Sequence, residues 1–312
     1  MLVAVAVPAT FGATPPTENQ GVLVTKGFET SLTWKDHIGE LRYSIMAELS
    51  DNTDKLVALK NSDNYVEGLN FARQGYPIDS YFGYVYNGLI QTQAQLTAYK
   101  KLQGVPQDIG LGDVMYKDVD GDGALTEYGN SAKGQKGDMV YLGNAIPRYT
   151  YSSNISLQYK QFDFAVFIQG VGKRTVQYGG GIATPNAYYY NSLQYYYGKT
   201  WTPTNPNAQY PRYIAGGLGY DDIRGYDYHT SSLTLENDAY LRFKTITFGY
   251  DLPTTFAQRL KMKSARIYVS GSDLFTISKG TLGGNFDPED GDQNADTYPF
   301  NRVYSIGLDV KF

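Results

Sequence analysis

The last thirteen residues of the chain, 300–312, alternate strictly between apolar and polar side chains. The apolar set comprises Tyr304, Ile306, Leu308, Val310 and Phe312. Because successive side chains of a β-strand point to opposite faces, this pattern predicts a strand with one apolar and one polar face. A strand that crosses a membrane, with one face in lipid and the other in a polar lumen, needs such alternation over its whole crossing.

Six further segments alternate in the same way and are predicted to be strands. They are 28–35, 41–50, 147–159, 162–169, 238–251 and 265–276. The first two are expected to form a hairpin across a turn at 36–40, and the next two across a two-residue turn at 160–161. Within 238–251 the apolar parity switches near Lys244, which predicts a β-bulge there.

The connections between these strands alternate between short and long. The long ones are 51–147, 172–236 and 277–298, and an outer-membrane barrel likewise has short periplasmic turns and long outer loops. The pattern therefore predicts an all-β fold, an antiparallel transmembrane β-barrel segment of about seven or eight strands with long extracellular loops. A β-sandwich also collects its loops at the ends and stays an alternative. Within the first loop we expect a short hairpin at 76–90 and a helix at 92–101.

The polar faces of the predicted strands are expected to line the barrel interior. They carry Arg42, Glu48, Asn154, Gln158, Asp163 and Gln169. Loops 51–147 and 172–236 are then expected to form an outer vestibule for a substrate and a surface for a lid protein.

Composition favours this class over a cytosolic enzyme. The 312 residues include 30 Tyr and 34 Gly, yet they hold no apolar run of the about 20 residues that a transmembrane helix needs. The formal charge of −4 offers no basic surface, so no nucleic-acid partner is expected. The absence of cysteine and the presence of only two histidines exclude thiolate and multi-histidine metal sites. No catalytic constellation is visible, and the chain is not predicted to be an enzyme.

The acidic stretch in the first loop is similar to the first half of a calcium-binding loop. Asp118, Asp120 and Asp122 stand at alternate positions, and Gly123 permits a sharp turn. The Ala124 carbonyl and Thr126 could add ligands. In a calcium-binding loop of this type, position twelve is a glutamate that binds the ion through both oxygens. Counted from Asp118, that position here is Gly129, although Glu127 or Asp138 could substitute. A calcium site and a solvated acidic turn are both open readings.

The second long loop is rich in aromatic residues that could contact a substrate in the vestibule. They are Tyr188, Tyr189, Tyr190, Tyr195, Tyr196, Tyr197 and Trp201. Flat aromatic faces can pack against sugar rings, but they can equally pack a loop against itself.

Several segments, in order along the whole chain, resemble the SusC/RagA-like TonB-dependent outer-membrane transporters. The longest are GYPIDSYFGYVYNGLI at 75–90, GDVMYKDVDGDG at 112–123 and ARIYVSGSDLF at 265–275. Shorter ones are LGNAIPRY at 142–149, ENDAYLR at 236–242, FGYDLP at 248–253, and ENQGV and KGFE at 18–22 and 26–29. The terminal Phe312 completes the resemblance.

The resemblance implies an outer-membrane barrel of about 22 strands, filled by a plug domain. Residues 1–312 would supply its C-terminal part, with the plug and signal peptide absent, and one edge of the last strand would pair with 265–276. Implied partners are outer-membrane lipid, a SusD-like lipoprotein lid, and the barrel-assembly machinery, which would read Phe312. The TonB complex would be reached only through the missing N-terminal region.

The implied activity is TonB-dependent import of glycans or other nutrients. Two alternatives remain open at this stage. One is a surface β-domain that binds glycans through its tyrosine loops. The other is a truncated fragment without independent function.

Overall fold

The computed structural model describes residues 2–4, 12, 17–19, 21–59, 64–67, 70–128, 137–178, 192–214, 223–280, 284, 286–289 and 301–312. The first ten strands are β1 Leu2–Ala4, β2 Thr17–Asn19, β3 Gly21–Ile38, β4 Leu41–Leu59, β5 Asn64–Glu67, β6 Asn70–Arg73, β7 Ser80–Gly83, β8 Tyr86–Leu89, β9 Val114–Tyr116 and β10 Val140–Asn144. The others are β11 Arg148–Tyr159, β12 Phe162–Lys173, β13 Thr175–Gln177, β14 Leu235–Asn237, β15 Tyr240–Asp251, β16 Ser264–Ser278 and β17 Val303–Lys311. The helices are α1 Gln93–Tyr99, α2 Ile223–Asp227 and α3 Thr254–Arg259, with a 3₁₀ turn at Gln194–Tyr196.

Seven of these strands form one antiparallel sheet in the order β17-β16-β15-β12-β11-β4-β3. Each pairs with the next of the seven along the chain, so the sheet is an up-and-down meander. The two outermost strands, β3 and β17, each have a single neighbour among the described residues, and the sheet is therefore open. The prediction of an antiparallel barrel segment is confirmed, as is the pairing of the last strand with the one before it.

Apolar side chains of neighbouring strands lie side by side on one face of the sheet. Ile45, Ile155, Val166 and Ile246 form one continuous row across four strands. Much of this face is exposed, and at Ile306 the exposed fraction reaches 79%. A sandwich would bury these side chains against a second sheet, so the sandwich alternative is wrong for this sheet. An apolar surface of this extent is a liability in water and a requirement in lipid.

A β-bulge at Lys244 keeps the apolar face continuous along β15. The partners of β12 shift between Phe167 and Ile168, where Thr245 and Phe243 stand opposite. The extra residue places Phe243 on the same face as Ile246, although their spacing alone would separate them. The bulge predicted from the parity switch is confirmed.

The strands run further than the alternation predicted. β3 continues to Ile38, with Asp36 opposite Tyr43, so the turn is Gly39-Glu40 rather than 36–40. β4 continues to Leu59, which moves the start of the first long loop from 51 to 60. The other two long loops likewise begin after Lys173 and Ser278. Outside the membrane a pair of strands can carry polar residues on both faces. Such strands show no alternation of apolar and polar residues in the sequence.

The first long loop has secondary structure of its own. The predicted helix is confirmed as α1, whose capping box joins Thr92 and Gln95. The predicted hairpin at 76–90 is wrong, because β7 pairs with β6 and β10 while β8 pairs with β9. No helix of the described residues is long and apolar enough to cross a membrane.

The buried hydrophobic core lies mainly in the loops and not on the sheet. Its members are Tyr84, Leu89, Ile90, Leu96, Tyr99, Val105, Ile109, Val114, Tyr116, Leu125 and Tyr226. Ten of these belong to the β4–β11 loop, and Tyr226 belongs to the β12–β15 loop. The two long loops therefore share one core, which we call the outer unit.

Candidate functional site: the outer unit and the polar face of the sheet

Hydrogen bonds between the two loops hold the outer unit together. The Tyr99 and Tyr226 hydroxyls lie 2.6 Å apart, and the Tyr116 amide donates to the Tyr99 hydroxyl at 2.6 Å. The Tyr84 amide donates to the Thr230 carbonyl at 3.0 Å. The Tyr99–Tyr226 and Tyr84–Thr230 bonds join the two loops, whereas the Tyr116–Tyr99 bond lies within the first loop. All four tyrosines are buried, so these bonds are shielded from water.

Two buried aspartates sit in the same contact region. Asp113 binds Arg212 of the second loop through both carboxylate oxygens. The Asp227 Oδ1 atom accepts the Val114 amide at 2.8 Å, while its Oδ2 accepts no hydrogen bond from the described residues. Burial raises the pKa of the Asp227 carboxyl to about 8, and the nearby Asp113 carboxylate adds to this rise in pKa. Asp227 is therefore largely protonated at neutral pH.

The aromatic residues predicted to line the vestibule differ in how far they are buried. Tyr196 is 3% exposed and packs edge-on against Tyr210 at a centroid distance of 4.9 Å. The Trp201 indole packs against the core and donates to Gln91 Oε1 at 3.0 Å. Tyr195 is half-buried under the Lys199 ammonium.

Tyr197, in contrast, is 90% exposed. Tyr188, Tyr189 and Tyr190 lie outside the described residues. Of the aromatics that the structure describes in this set, Tyr197 is the one whose ring faces are open to a ligand.

The acidic loop brings together three carboxylates, but not the three consecutive ones of the sequence motif. Asp118, Asp120 and Asp138 each offer an oxygen within 4.8 Å of the others. Asp138, one of the two candidate substitutes for the missing glutamate, is fully buried and joins the group in place of Asp122. Asp122 instead accepts the Ala124 amide at 2.8 Å.

These carboxylates also cap the loop backbone. Asp118 accepts the amides of Gly121 and Gly123 at 2.7 and 2.9 Å. Asp138 accepts the amides of Val119 and Thr126 at 2.6 and 2.9 Å. Since each carboxylate oxygen has two lone pairs, these bonds leave capacity for a hard cation with oxygen ligands. The Thr126 hydroxyl is buried without a hydrogen-bond partner among the described residues.

The six polar residues predicted for the barrel interior share one face of the sheet. Gln158 stands opposite Arg42 on one side and Asp163 on the other. The Ser152 hydroxyl donates to Glu48 Oε2 at 2.8 Å. Asn154 and Gln169 occupy the same parity on β11 and β12, opposite to that of Ile155 and Ile168.

A charged network that the sequence patterns did not reveal lies on this polar face. The Arg242 guanidinium, 2% exposed, binds both oxygens of Asp287 at 2.7 Å and lies 2.9 Å from Glu289. The Lys244 ammonium is 2.8 Å from Glu289 and 2.7 Å from Asp273. The β16–β17 loop thus sends two carboxylates to meet the cations of β15. The only sequence signal was the parity switch at Lys244.

The ends of the sheet are also informative. Phe312 is exposed, and its neighbouring strand β17 pairs only with β16 among the described residues. The role of Phe312 in barrel assembly stays a prediction.

Comparison with known proteins bears on all these features. No family model matches the sequence. TonB-dependent receptor P3 of Formosa agariphila is 27% identical over 335 aligned residues, which cover 98% of this chain and 30% of the relative. TonB-dependent receptor P26 of the same bacterium is 25% identical and covers 100% of this chain and 31% of its own length. Over its whole length the chain is therefore similar to a segment of these TonB-dependent receptors.

Solved structures agree on the fold of this receptor segment. The RagAB peptide transporter matches 100% of the chain with a TM-score of 0.71 and 19% identity, over 32% of its own length. The RagAB peptide importer in the closed-closed state matches with a TM-score of 0.71 and 20% identity. The receptor segment thus spans about a third of the length of these proteins, and the resemblance predicted from the motifs is confirmed.

The receptor fold gives each face of the sheet its environment. The segment lies in the outer membrane, where the apolar face contacts lipid and the polar face lines the barrel interior. The Arg242 network is therefore lumenal. The outer unit lies at the end of the sheet opposite the tight turns at 39–40 and 160–161.

Proposed function

We propose that the chain forms part of the wall and outer vestibule of a nutrient importer energised through TonB. The observation that carries this proposal is the exposed apolar face of a seven-stranded meander. Lipid is the solvent in which such a face is stable, and the named relatives are receptors of this type. The chain contributes no catalytic step, and the relatives are likewise receptors and transporters.

The outer unit would form one side of the vestibule. Its packed core gives the rigid scaffold that a binding surface requires, and the exposed ring of Tyr197 offers an apolar face with a polar tip. Such a surface suits oligomers with alternating apolar and hydrogen-bonding groups. We propose glycans or peptides as the substrate class; the RagAB structures are of a peptide transporter.

Energy-dependent uptake tests this proposal. Cells that express the complete barrel protein are given labelled oligosaccharides or labelled oligopeptides, with and without an uncoupler of the proton gradient. The proposal predicts that one class accumulates and that the uncoupler abolishes accumulation. Equal labelling of cells with and without the protein, for both classes, would contradict it.

The proposed partners follow from the same assignment. A SusD-like lipoprotein would cover the outer unit as a lid, and the TonB complex would act through a region outside these residues. The barrel-assembly machinery would recognise the terminal strand and Phe312. Co-purification of a lipoprotein with the complete barrel, lost when the outer unit is deleted, tests the lid.

We further propose that these residues function only within a larger barrel. β3 and β17 each present an unpaired edge among the described residues, and unpaired backbone groups cost several kcal/mol each in hydrocarbon, by order of magnitude. The chain expressed alone should fail to give a heat-modifiable band in outer membranes. Stable insertion of the chain alone as a closed barrel would contradict this.

We also propose that Asp118, Asp120 and Asp138 bind a calcium ion that stabilises the acidic loop. Support comes from three converging oxygen ligands and the alternate spacing of two of them. Terbium luminescence, excited through nearby tyrosines, should saturate in the parent protein and be displaced by calcium. Asp138→Asn should weaken it at least tenfold, while Asp108→Asn, an exposed aspartate outside the group, should not.

A further inference from the structure

The connection between β15 and β16 has an exposed apolar face at the end of the sheet that carries the tight turns. This connection consists of α3 and the residues that follow it up to Lys263, and we call it the basal segment. Phe256 lies in α3, and Leu260 directly follows the helix as its C-cap. Both are about half exposed, and their spacing of four places them on the same side. Ala257, on the neighbouring side, is fully buried. The helix thus packs through a small residue and turns its large apolar residues outward.

The basal segment lies over the lipid-facing side of the sheet. Ala265 shares the parity of Ile267 on β16, and its partner is Val310 on β17. Ile267 is 42% exposed, yet Ala265 is only 3% exposed. The helix α3 packs against β16, and the burial of both Ala257 and Ala265 is explained if the helix covers Ala265 from the lipid-facing side. Phe256 and Leu260 then lie beside the last lipid-facing row of the barrel wall.

Three cations follow Phe256 closely in the basal segment. Arg259, Lys261 and Lys263 are all exposed, and none forms an ion pair within the part of the chain that the structure describes. The sequence holds no acidic residue from 252 to 265. In the neighbouring tight turns, by contrast, Lys160 is paired with Glu40 at 3.1 Å. The basal segment therefore has an uncompensated positive charge at the membrane boundary.

We propose that the basal segment is an interfacial anchor that binds anionic phospholipid in the periplasmic leaflet of the outer membrane. Phe256 and Leu260 insert at the boundary between acyl chains and headgroups. Arg259, Lys261 and Lys263 contact the phosphates of the headgroups, where anionic lipid attracts each basic residue. The inference rests on the outer-membrane location and does not depend on the substrate. The anchor would fix the depth of β15 and β16 in the bilayer.

Site-specific labelling tests the anchor, because the chain has no cysteine of its own. Leu260→Cys carries an environment-sensitive fluorophore in the complete barrel protein, assembled in outer membranes. Gln258→Cys, on the other side of the helix, is the matched control. The proposal predicts blue-shifted emission and protection from a water-soluble quencher at 260, with a water-like spectrum at 258. Equal, water-like spectra at both positions would overturn it.

The lipid specificity is tested with the same label after reconstitution. Vesicles of phosphatidylethanolamine with phosphatidylglycerol are compared with vesicles of phosphatidylcholine alone. The emission shift at 260 should be larger in the anionic vesicles, and Lys261→Gln with Lys263→Gln should remove that difference. A shift independent of lipid charge would overturn the lipid-binding part, as would protection at 260 that depends on an added periplasmic protein. Heat-modifiability of every variant confirms that the barrel has folded.

Discussion

The Arg266 guanidinium on β16 binds the Asp163 carboxylate on β12, although β15 runs between the two strands. The two N–O distances are 3.0 and 2.7 Å. The pair can form because the intervening residue on the lumenal face is Gly249, which has no side chain to separate them. Three strands of the wall are thus tied by one ion pair near the periplasmic end.

Replacing Gly249 with Ala should break this tie. A Cβ atom at this position would collide with both the carboxylate and the guanidinium. Both groups end flexible, partly exposed side chains, so we expect the pair to separate and the free energy of unfolding to fall by about 1 kcal/mol. Urea unfolding of the barrel in detergent measures the change. Thr247→Ala, two positions away on the same face, should cost less than about 0.5 kcal/mol as a control. If Gly249→Ala is equally costly in an Arg266→Ala background, the ion pair is not the cause.

Asp227 should make the outer unit less stable as the pH rises. Its pKa is raised by burial from 3.8 to about 8, so the folded unit holds a proton that the unfolded chain has lost. Stability then falls with rising pH between these values, by roughly 1.4 kcal/mol per unit. Burial lowers the pKa of His229, which opposes this trend below about pH 6.5. Burial also raises the pKa of Asp238, to about 6, which adds to the fall in stability below that pH. The interval from 6.5 to 8 therefore reports mainly on Asp227.

The test replaces Asp227 with Asn, which keeps an oxygen for the Val114 amide and cannot ionise. Unfolding of the outer unit is followed through the fluorescence of Trp201 in a Trp34→Phe background. The parent should lose stability between pH 6.5 and 8, and the variant should not. An unchanged slope in the variant would assign the effect to another group.

Tyr99→Phe should loosen the joint between the two loops without touching the barrel. The change removes the bond to Tyr226 and leaves the buried Tyr116 amide without its acceptor. We expect a loss of about 1–3 kcal/mol for the outer unit. Hydrogen exchange at residues 84–116 and 226–232 should speed up together, while the strands stay protected. Tyr197→Phe is the control, since Tyr197 is 90% exposed and is not a member of the buried core cluster.

Sequence reasoning could find the sheet because its physics is local. Each strand in lipid must alternate, and Ile45, Ile155 and Val166 show this within a few residues of their own neighbours. The sequence pattern ends β3 and β4 too early, at Asp36 and Asp51. In the structure these residues, although of a type typical of turns, continue the hydrogen-bonded pairing of the two strands. Nothing in the local pattern distinguishes such a ladder from a loop.

The outer unit could not be predicted in the same way. Its core joins residues more than a hundred positions apart, such as Tyr99 and Tyr226. Adjacent tyrosines also differ in burial: Tyr196 is buried and Tyr197 is exposed. Tyr196 packs against Tyr210, and no pattern in the sequence around residue 196 indicates this contact.

Arg242→Met should release the β16–β17 loop from the lumen. Removing the buried cation leaves Asp287 and Glu289 with less compensating charge, a change that costs about 3–5 kcal/mol for buried pairs. Limited proteolysis should show faster cleavage near 286–289 in the variant. Arg42→Met, an exposed lumenal position, should leave the cleavage rate unchanged. Equal protection in both variants would show that contacts other than those of Arg242, such as the Lys244–Glu289 pair or the Arg174 bond to the Pro288 carbonyl, hold the loop.

Contact between the apolar face of the sheet and lipid can be measured directly. The chain has two tryptophans, and they divide between the two environments: Trp34 lies on the apolar face of β3, and Trp201 lies in the outer unit. The complete barrel is reconstituted in vesicles that contain brominated phospholipid, with Trp201→Phe in one sample and Trp34→Phe in the other. If the apolar face contacts lipid, Trp34 should be strongly quenched and Trp201 should not be quenched. Unquenched Trp34 emission that a water-soluble quencher removes would contradict it.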